Sequence, residues 1–154
     1  MKLFKYGIIL ERLREEDIEL VRQWRNSDPV RLNMKYQKII TPEQQKKWYH
    51  SINNEHFNYL LIHYQGEKIG LLNDKNIDWE SRTSESGIFL GRTEFYNTFV
   101  PHLVSVAGIE FTFYLMSWNR QYAHILRTNA NAIRFNLQLG YHLSEGQEGL
   151  DHQQ

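Results

Sequence analysis

Two apolar runs separated by one short turn set the frame for this chain. Phe57 to Tyr64 is rich in aromatic and branched residues, Gln65-Gly66-Glu67 interrupts it, and Lys68 to Leu72 resumes the apolar pattern. Such runs on either side of a Gly-containing turn predict an antiparallel hairpin. A hairpin in mid-chain has faces that other segments must cover. Upstream, Tyr6 to Leu13 reads as one strand. Glu15, Glu16 and Asp17 place acid in a first helical turn, which suits the helix dipole. Ile18, Val21, Trp24 and Arg25 follow at helical spacing, and the helix is expected to stop near Asn26-Ser27-Asp28-Pro29. Thr41-Pro42-Glu43-Gln44 starts a second helix, with Thr41 as cap, Pro42 at the first helical position and Gln44 completing a capping box. Trp48, Tyr49 and Ile52 ride on it.

Downstream, Ser86 to Leu90 reads as a strand after the polar stretch Ser81 to Glu85. Pro101 to Met116 has strand-like composition at Phe111-Thr112-Phe113-Tyr114, but its length predicts a helix. Gln121 to Leu126 reads as a strand. Asn129 to Leu139 reads as a helix closed by Gly140 at a left-handed cap. The order is therefore strand, two helices, three strands, helix, strand, helix, short strand. That order predicts an α/β fold, a mixed central sheet flanked by helices. At 154 residues the chain is the size of one domain, taken as 1–154.

Composition removes several function classes. With no Cys there is no disulfide, thiolate metal site or Cys nucleophile, and this fits a reducing compartment. Lys+Arg and Asp+Glu both number 18, so nothing electrostatic points to nucleic acid. Met1-Lys2-Leu3-Phe4-Lys5-Tyr6 lacks the apolar run of a signal peptide. No stretch approaches the roughly 20 apolar residues of a membrane span. The expectation is a cytoplasmic protein with no membrane partner. The seven His show no metal-ligand spacing, so no metal is expected. Nucleophile elbow, P-loop and dinucleotide fingerprint are all missing, and Gly91 and Gly108 are too isolated to build one.

The last third carries a more specific pattern. Trp118-Asn119-Arg120-Gln121-Tyr122-Ala123 leads to Asn129-Ala130-Asn131-Ala132-Ile133-Arg134-Phe135-Asn136-Leu137-Gln138-Leu139-Gly140-Tyr141. This resembles the GNAT family of acyl-CoA-dependent N-acyltransferases, in which a strand leads to N-x-x-A-I-x-x-Y-x-x-x-G-F. Trp24-Arg25-Asn26, Met34, the Thr41 helix and Glu85-Ser86-Gly87-Ile88-Phe89-Leu90 resemble the branch that acetylates ribosomal-protein N-termini and nucleotide-linked amino sugars. The resemblance runs from Ile8 to Leu143.

It implies transfer of an acyl group, most simply from acetyl-CoA, to a primary amine of a small molecule or protein N-terminus. Such a reaction needs a base for the amine proton and donors for the developing oxyanion. By the resemblance, Glu85 is the general-base candidate and Asn136 stands at the position near the sulfur. Leu90, Arg92, Asn97, Thr98 and Asn129 are the cofactor-binding candidates, with the pyrophosphate loop between Gly91 and Pro101. Asn97 is expected either to take a left-handed backbone or, like Thr98, to cap the following helix. Trp24, Arg25, Asn26, Met34, Tyr36 and Trp79 are candidates for the acceptor cleft; Trp24 reads first as core and Asn129 first as a plain helix cap, and Arg25 also reads as a surface ion pair.

Three departures from the pattern keep other readings open. Asn97, Phe99 and Pro101 stand where the family loop is glycine-rich, and Pro101 has no N–H to offer. Asn136 replaces the family Tyr and has no proton to give. The region after Gly140 is short and ends in a polar tail at Gly146-Gln147-Glu148-Gly149. The alternatives are a catalytically weakened or inactive binding or partner protein on the same fold, and an enzyme that uses a different acyl carrier. The short C-terminus leaves a sheet edge for which a homodimer is the expected cover.

Overall fold

A computed structural model describes residues 1–145. The polar tail at Gly146–Gly149 lies outside the described residues. Strands β1 (Lys2–Lys5) and β2 (Ile8–Arg12) open the chain. A 3₁₀ turn leads into helix α1 (Ile18–Asn26), then the short α2 (Asp28–Arg31) and α3 (Pro42–Ser51). Strands β3 (Asn58–Tyr64), β4 (Glu67–Asp78) and β5 (Thr83–Leu90) follow. Helix α4 (Val100–Glu110) runs on into a π-helical turn at Phe111–Leu115. Strand β6 (Arg120–Tyr122) and helix α5 (Ala130–Gln138) complete the described elements. The sheet order is β1-β2-β3-β4-β5-β6, antiparallel throughout except for the parallel pair β5–β6.

Several predicted elements stand, and others shift for identifiable reasons. Tyr6 to Leu13 is not one strand. Tyr6 and Gly7 both have positive φ, 54° and 74°, and turn the chain back so that β1 pairs with β2. Two consecutive left-handed residues suit a two-residue hairpin turn, and the same geometry recurs at Gln65-Gly66. The capping box is present: Thr41 Oγ1 accepts from the Gln44 N–H, and the Thr41 N–H donates to Gln44 Oε1 at 2.8 Å. Phe111–Leu115 stays helical but widens to a π turn. The strand expected over Gln121–Leu126 ends at Tyr122. No strand follows α5 among the described residues.

The sheet has one core on each face. Ile8, Leu10, Leu60, Ile62, Ile69 and Leu90 pack against Val100, Val104, Ala107 and Phe111 of α4 and its extension. On the other face Leu13, Leu61 and Leu71 pack against Ile18, Val21 and Trp24 of α1 and against Ile52. Each fully buried aliphatic side chain contributes about 1.5–3 kcal/mol by leaving water. Among the described residues, no helix is long and apolar enough to cross a membrane.

Trp24 sits at the end of β5, and a Cβ built on Gly91 would lie 2.1–2.3 Å from its indole carbons. Gly91 is therefore required by close approach of a rigid ring. Gly91→Ala is expected to destabilise the fold by about 1–3 kcal/mol or to displace Trp24. Urea denaturation with tryptophan fluorescence reads both.

Candidate active site

The parting of β5 from β6 positions the site. β5 pairs with β4 from Leu90 back to Thr83, but with β6 only at Thr83↔Arg120, Ser84↔Gln121 and Glu85↔Tyr122. Past Glu85 the two chains diverge, so Ser86–Leu90 has no strand on that side among the described residues. Side chains alternate across a strand. Ser84, Ser86, Ile88 and Leu90 therefore face α4, while Glu85, Gly87 and Phe89 face α1 and α3. A narrow groove opens on the α4 face. Its walls include Leu72, Asp74, Ser86, Ile88, Gly108, Asn136 and Tyr141.

A connected polar set crosses this groove. Gln121 Nε2 donates to Asp74 Oδ1 at 2.7 Å and to Thr112 Oγ1 at 3.1 Å, and Ser84 Oγ donates to the same Asp74 oxygen at 3.0 Å. Tyr141 donates its hydroxyl to Gln121 Oε1 at 2.8 Å and lies 3.0 Å from Ser86 Oγ. Tyr141 thereby ties the chain after α5 to both β5 and β6. Burial pushes the Asp74 carboxyl up, against the hydrogen bonds from Gln121 and Ser84. Burial likewise pushes the Tyr141 phenol up.

On the opposite face Glu85 is buried and engaged by three donors. Lys75 Nζ lies 3.0 Å and His124 Nδ1 3.1 Å from Oε1, and Asn76 Nδ2 donates to Oε2 at 2.9 Å. Asn76 has φ 50°, beside an irregularity in the β4–β5 register, and Asn tolerates that left-handed geometry. Burial acts to raise the Glu85 carboxyl, but the hydrogen bonds from His124 and Lys75 outweigh it and hold the group below its usual value. A carboxylate so held is ionised and reluctant to take a proton.

Arg25 is half-buried beside Tyr59, and among the described residues its guanidinium makes no hydrogen bond or ion pair. Burial lowers its pKa, with Tyr59 acting the other way. The Tyr59 phenol is raised by burial and senses both Arg25 and Glu85. Tyr59 is also the cross-strand neighbour of Asn73, whose Nδ2 is buried without a partner among the described residues. The amide of Asn73 lies against Gly87, its Oδ1 2.9 Å from the Cβ that Gly87 lacks. This face of the sheet thus gathers a fixed anion at Glu85, the half-buried guanidinium of Arg25 and an unsatisfied donor at Asn73.

Other residues singled out from the sequence take local duties. Trp24 is core, 8% exposed. The Asn26 amide clamps both backbone groups of Ile40, accepting at 2.8 Å and donating at 2.9 Å, so it holds the loop ahead of α3. Met34 and the exposed Tyr36 lie in the segment between α2 and α3. Trp79 donates to the Glu55 carbonyl and packs edge-on against Trp118. Leu90 is buried, and its carbonyl accepts from the Tyr96 hydroxyl. Arg92 is paired with Glu94 and Glu67.

Asn97 does not take the left-handed backbone, one of the two roles open to it from the sequence. Thr98 Oγ1 accepts from the Val100 N–H in the turn ahead of α4, whose N-cap residue is Phe99 and carries no side-chain cap bond, so neither Asn97 nor Thr98 caps the helix. Asn129 caps α5 through the Ala132 N–H. Asn136 lines the groove but donates to its own helix, at the Ala132 carbonyl. Lys75, Asn76 and His124 were not legible as site residues. The one available signal was strand alternation, which puts Tyr122 and His124 on one face.

Residues 8–142 match the family model of an acetyltransferase (GNAT) domain. No curated protein matches the sequence. Solved structures share the fold at low identity. A domain from Methanocaldococcus jannaschii is 20% identical, with 89% of each chain covered and a TM-score of 0.76. Spermidine N-acetyltransferase from Vibrio cholerae, in complex with CoA and spermine, is 16% identical, with 87% of this chain and 80% of that chain covered and a TM-score of 0.73. A dodecameric structure of the same enzyme is 17% identical, with 90% and 81% covered and a TM-score of 0.71.

Asp74 generates a pH-dependent test. Its carboxyl is raised in the fold, so the folded chain binds this proton more tightly than the unfolded chain. The resulting stability is present below the unfolded value and lost as pH rises through the folded one. Asp74→Asn keeps an acceptor for Gln121 and Ser84 and removes the buried charge. It is expected to be more stable than the parent at pH 8 and to lose that advantage near pH 4, read by chemical denaturation at both values.

Proposed function

The chain belongs to the GNAT acetyltransferase family, and on that premise we propose that it transfers an acyl group, most simply acetyl, from CoA to a primary amine carrying negative charge elsewhere. The observation that supports acyl transfer is the parting of β5 and β6 just past Glu85, with a groove beside the freed stretch of β5. An extended thioester arm laid along Ser86–Leu90 could hydrogen-bond to a strand edge that carries no other strand. The reacting carbonyl would then sit near the branch point, with Glu85 and its donors on the acceptor side. Nitrogen attack forms the C–N bond, the carbonyl oxygen takes charge, and the C–S bond breaks as the amine gives up its proton. Backbone N–H groups of the open strand are suited to stabilise that oxygen.

Arg25 supports the choice of acceptor. A half-buried guanidinium with no carboxylate of its own among the described residues disfavours a polycation and favours an anion. A nucleotide-linked amino sugar offers amine and diphosphate together, and a peptide N-terminus with a nearby acidic side chain offers the same pair. The spermidine enzyme with which this chain shares its fold acts on a polycation, so the two acceptor faces are expected to differ. Trp24 and Asn26 then contribute by fixing α1 and its following loop, while Met34 and Tyr36 remain proposed acceptor contacts.

One observation favours the second reading, a binding or partner protein. At the start of α4 the Val100 N–H is already taken by Thr98 and Pro101 has none, so the helix end offers a pyrophosphate few donors. Self-association is a proposal of the same rank: β6, the last strand of the sheet, is only three residues long and leaves an edge to cover. Light scattering is expected to give a dimer, and a clean monomer removes it.

Calorimetry with acetyl-CoA, followed by mass spectrometry on a panel of spermidine, a nucleotide-linked amino sugar and an acidic peptide, tests the main reading. Micromolar binding and acylation of the anionic amines over spermidine are expected. Arg25→Gln is expected to raise KM for those amines about tenfold, the equivalent of roughly 1.4 kcal/mol of lost charge-assisted bonding. No binding at millimolar acetyl-CoA would leave the partner reading in possession.

A further inference from the structure

We propose that His124 takes the proton from the attacking amine and that Glu85 is the positioning residue that aims it. This rests on the acyl-transfer reading above. Glu85 and Tyr122 are partners in the parallel β5–β6 pair, so their side chains share a face. His124 is two residues past Tyr122 and comes back to that face, with Nδ1 3.1 Å from Glu85 Oε1. Its ring meets Tyr122 edge-on, centroids 5.7 Å apart. One contact fixes the direction of the ring and the other its plane.

The remaining ring nitrogen, Nε2, has no partner among the described residues, and the side chain is 61% exposed. A neutral imidazole that donates Nδ1–H to the carboxylate carries its lone pair on Nε2. Because Nδ1 is anchored on Glu85, the last β5 residue paired with β6, the ring stands where the two strands part. Glu85 itself is poorly placed for the task. It is buried, with Lys75 and His124 on Oε1 and Asn76 on Oε2. The charged and titratable groups around the pair are Lys75 from β4, Glu85 from β5 and Tyr122 from β6. Farther off, Arg25 from α1 and Tyr59 from β3 feel the same field.

The step balances without a further reagent. The amine nitrogen attacks the thioester carbon and the carbonyl π pair moves to oxygen. The ammonium proton passes to His124 Nε2, the carbonyl re-forms, and the C–S pair leaves on sulfur. The imidazolium then returns its proton, through solvent, to the thiolate. Products are the amide and CoA thiol, with the histidine restored.

The test uses the intact protein, acetyl-CoA and the fastest acceptor of the panel above. His124→Ala is expected to lower kcat by about 10²–10⁴-fold, with acetyl-CoA affinity by calorimetry unchanged. Added imidazole is expected to restore part of the lost rate, which a purely structural role would not allow. In the parent, kcat/KM is expected to rise with pH along one limb, and His124→Ala to lack it. Glu85→Gln is expected to slow the reaction while keeping that dependence on His124. A His124→Ala variant with parental rate and pH limb overturns the proposal.

If the parent acylates no amine on the panel, the acyl-transfer reading fails. The pairing is then judged alone by ¹⁵N NMR of His124. A neutral ring protonated at Nδ1 upholds the oriented pair, and one protonated at Nε2 overturns it.

Discussion

Strand β5 is held on both sides for three residues and on one side for the rest. Almost everything of functional interest follows from that asymmetry. Where both neighbours are present, at Thr83–Glu85, three strands bring their side chains into one place. Where β6 departs, the strand keeps half its backbone groups for something other than sheet. Unpaired strand edges are costly to leave exposed and ready to pair with extended ligands. The two sheet faces then divide the work. The α4 face has the groove and the Asp74–Gln121–Tyr141 network, and the α1/α3 face has the charged cluster around Glu85.

Glu85 shows how a buried charge can be made tolerable. Burial alone would favour the neutral acid, yet the Lys75 ammonium, the His124 ring and the Asn76 amide converge on it and the ionised form wins. Asp74, a few residues away in the sheet, has only neutral donors, and there burial wins. Two carboxylates on adjacent strands thus differ in direction because one has a lysine beside it and the other does not. The same reasoning makes Arg25 informative, since a half-buried guanidinium with no carboxylate beside it among the described residues is an arrangement that a bound anion would complete.

Local chemistry was the legible part. The hairpin at Gln65-Gly66, the capping box at Thr41, the Asn129 cap and the left-handed Gly140 each depend on residues within a few positions of one another. The Tyr6-Gly7 turn carried the same kind of signal as Gln65-Gly66 but was hidden inside an apolar run, so two strands read as one. Asn26 and Trp24 were placed near the acceptor by pattern. The structure gives the first a loop backbone to hold and the second a place in the core against Gly91.

By itself the sequence determined the β3–β4 hairpin, the helices α1, α3 and α5, the mixed α/β class and the family pattern from Asn129 to Gly140. Those follow from periodicity, caps and turns, whose physics is short-ranged. Only the tertiary structure decided which side chains meet at the parting strands. Lys75 and Glu85 come from two strands and His124 from the segment just past a third, 10 and 39 positions apart along the chain, and the course of the sheet makes them neighbours. It also decided that Arg25 has no ion-pair partner among the described residues, because charge pairing depends on distance in space and burial, neither of which is written in residue spacing.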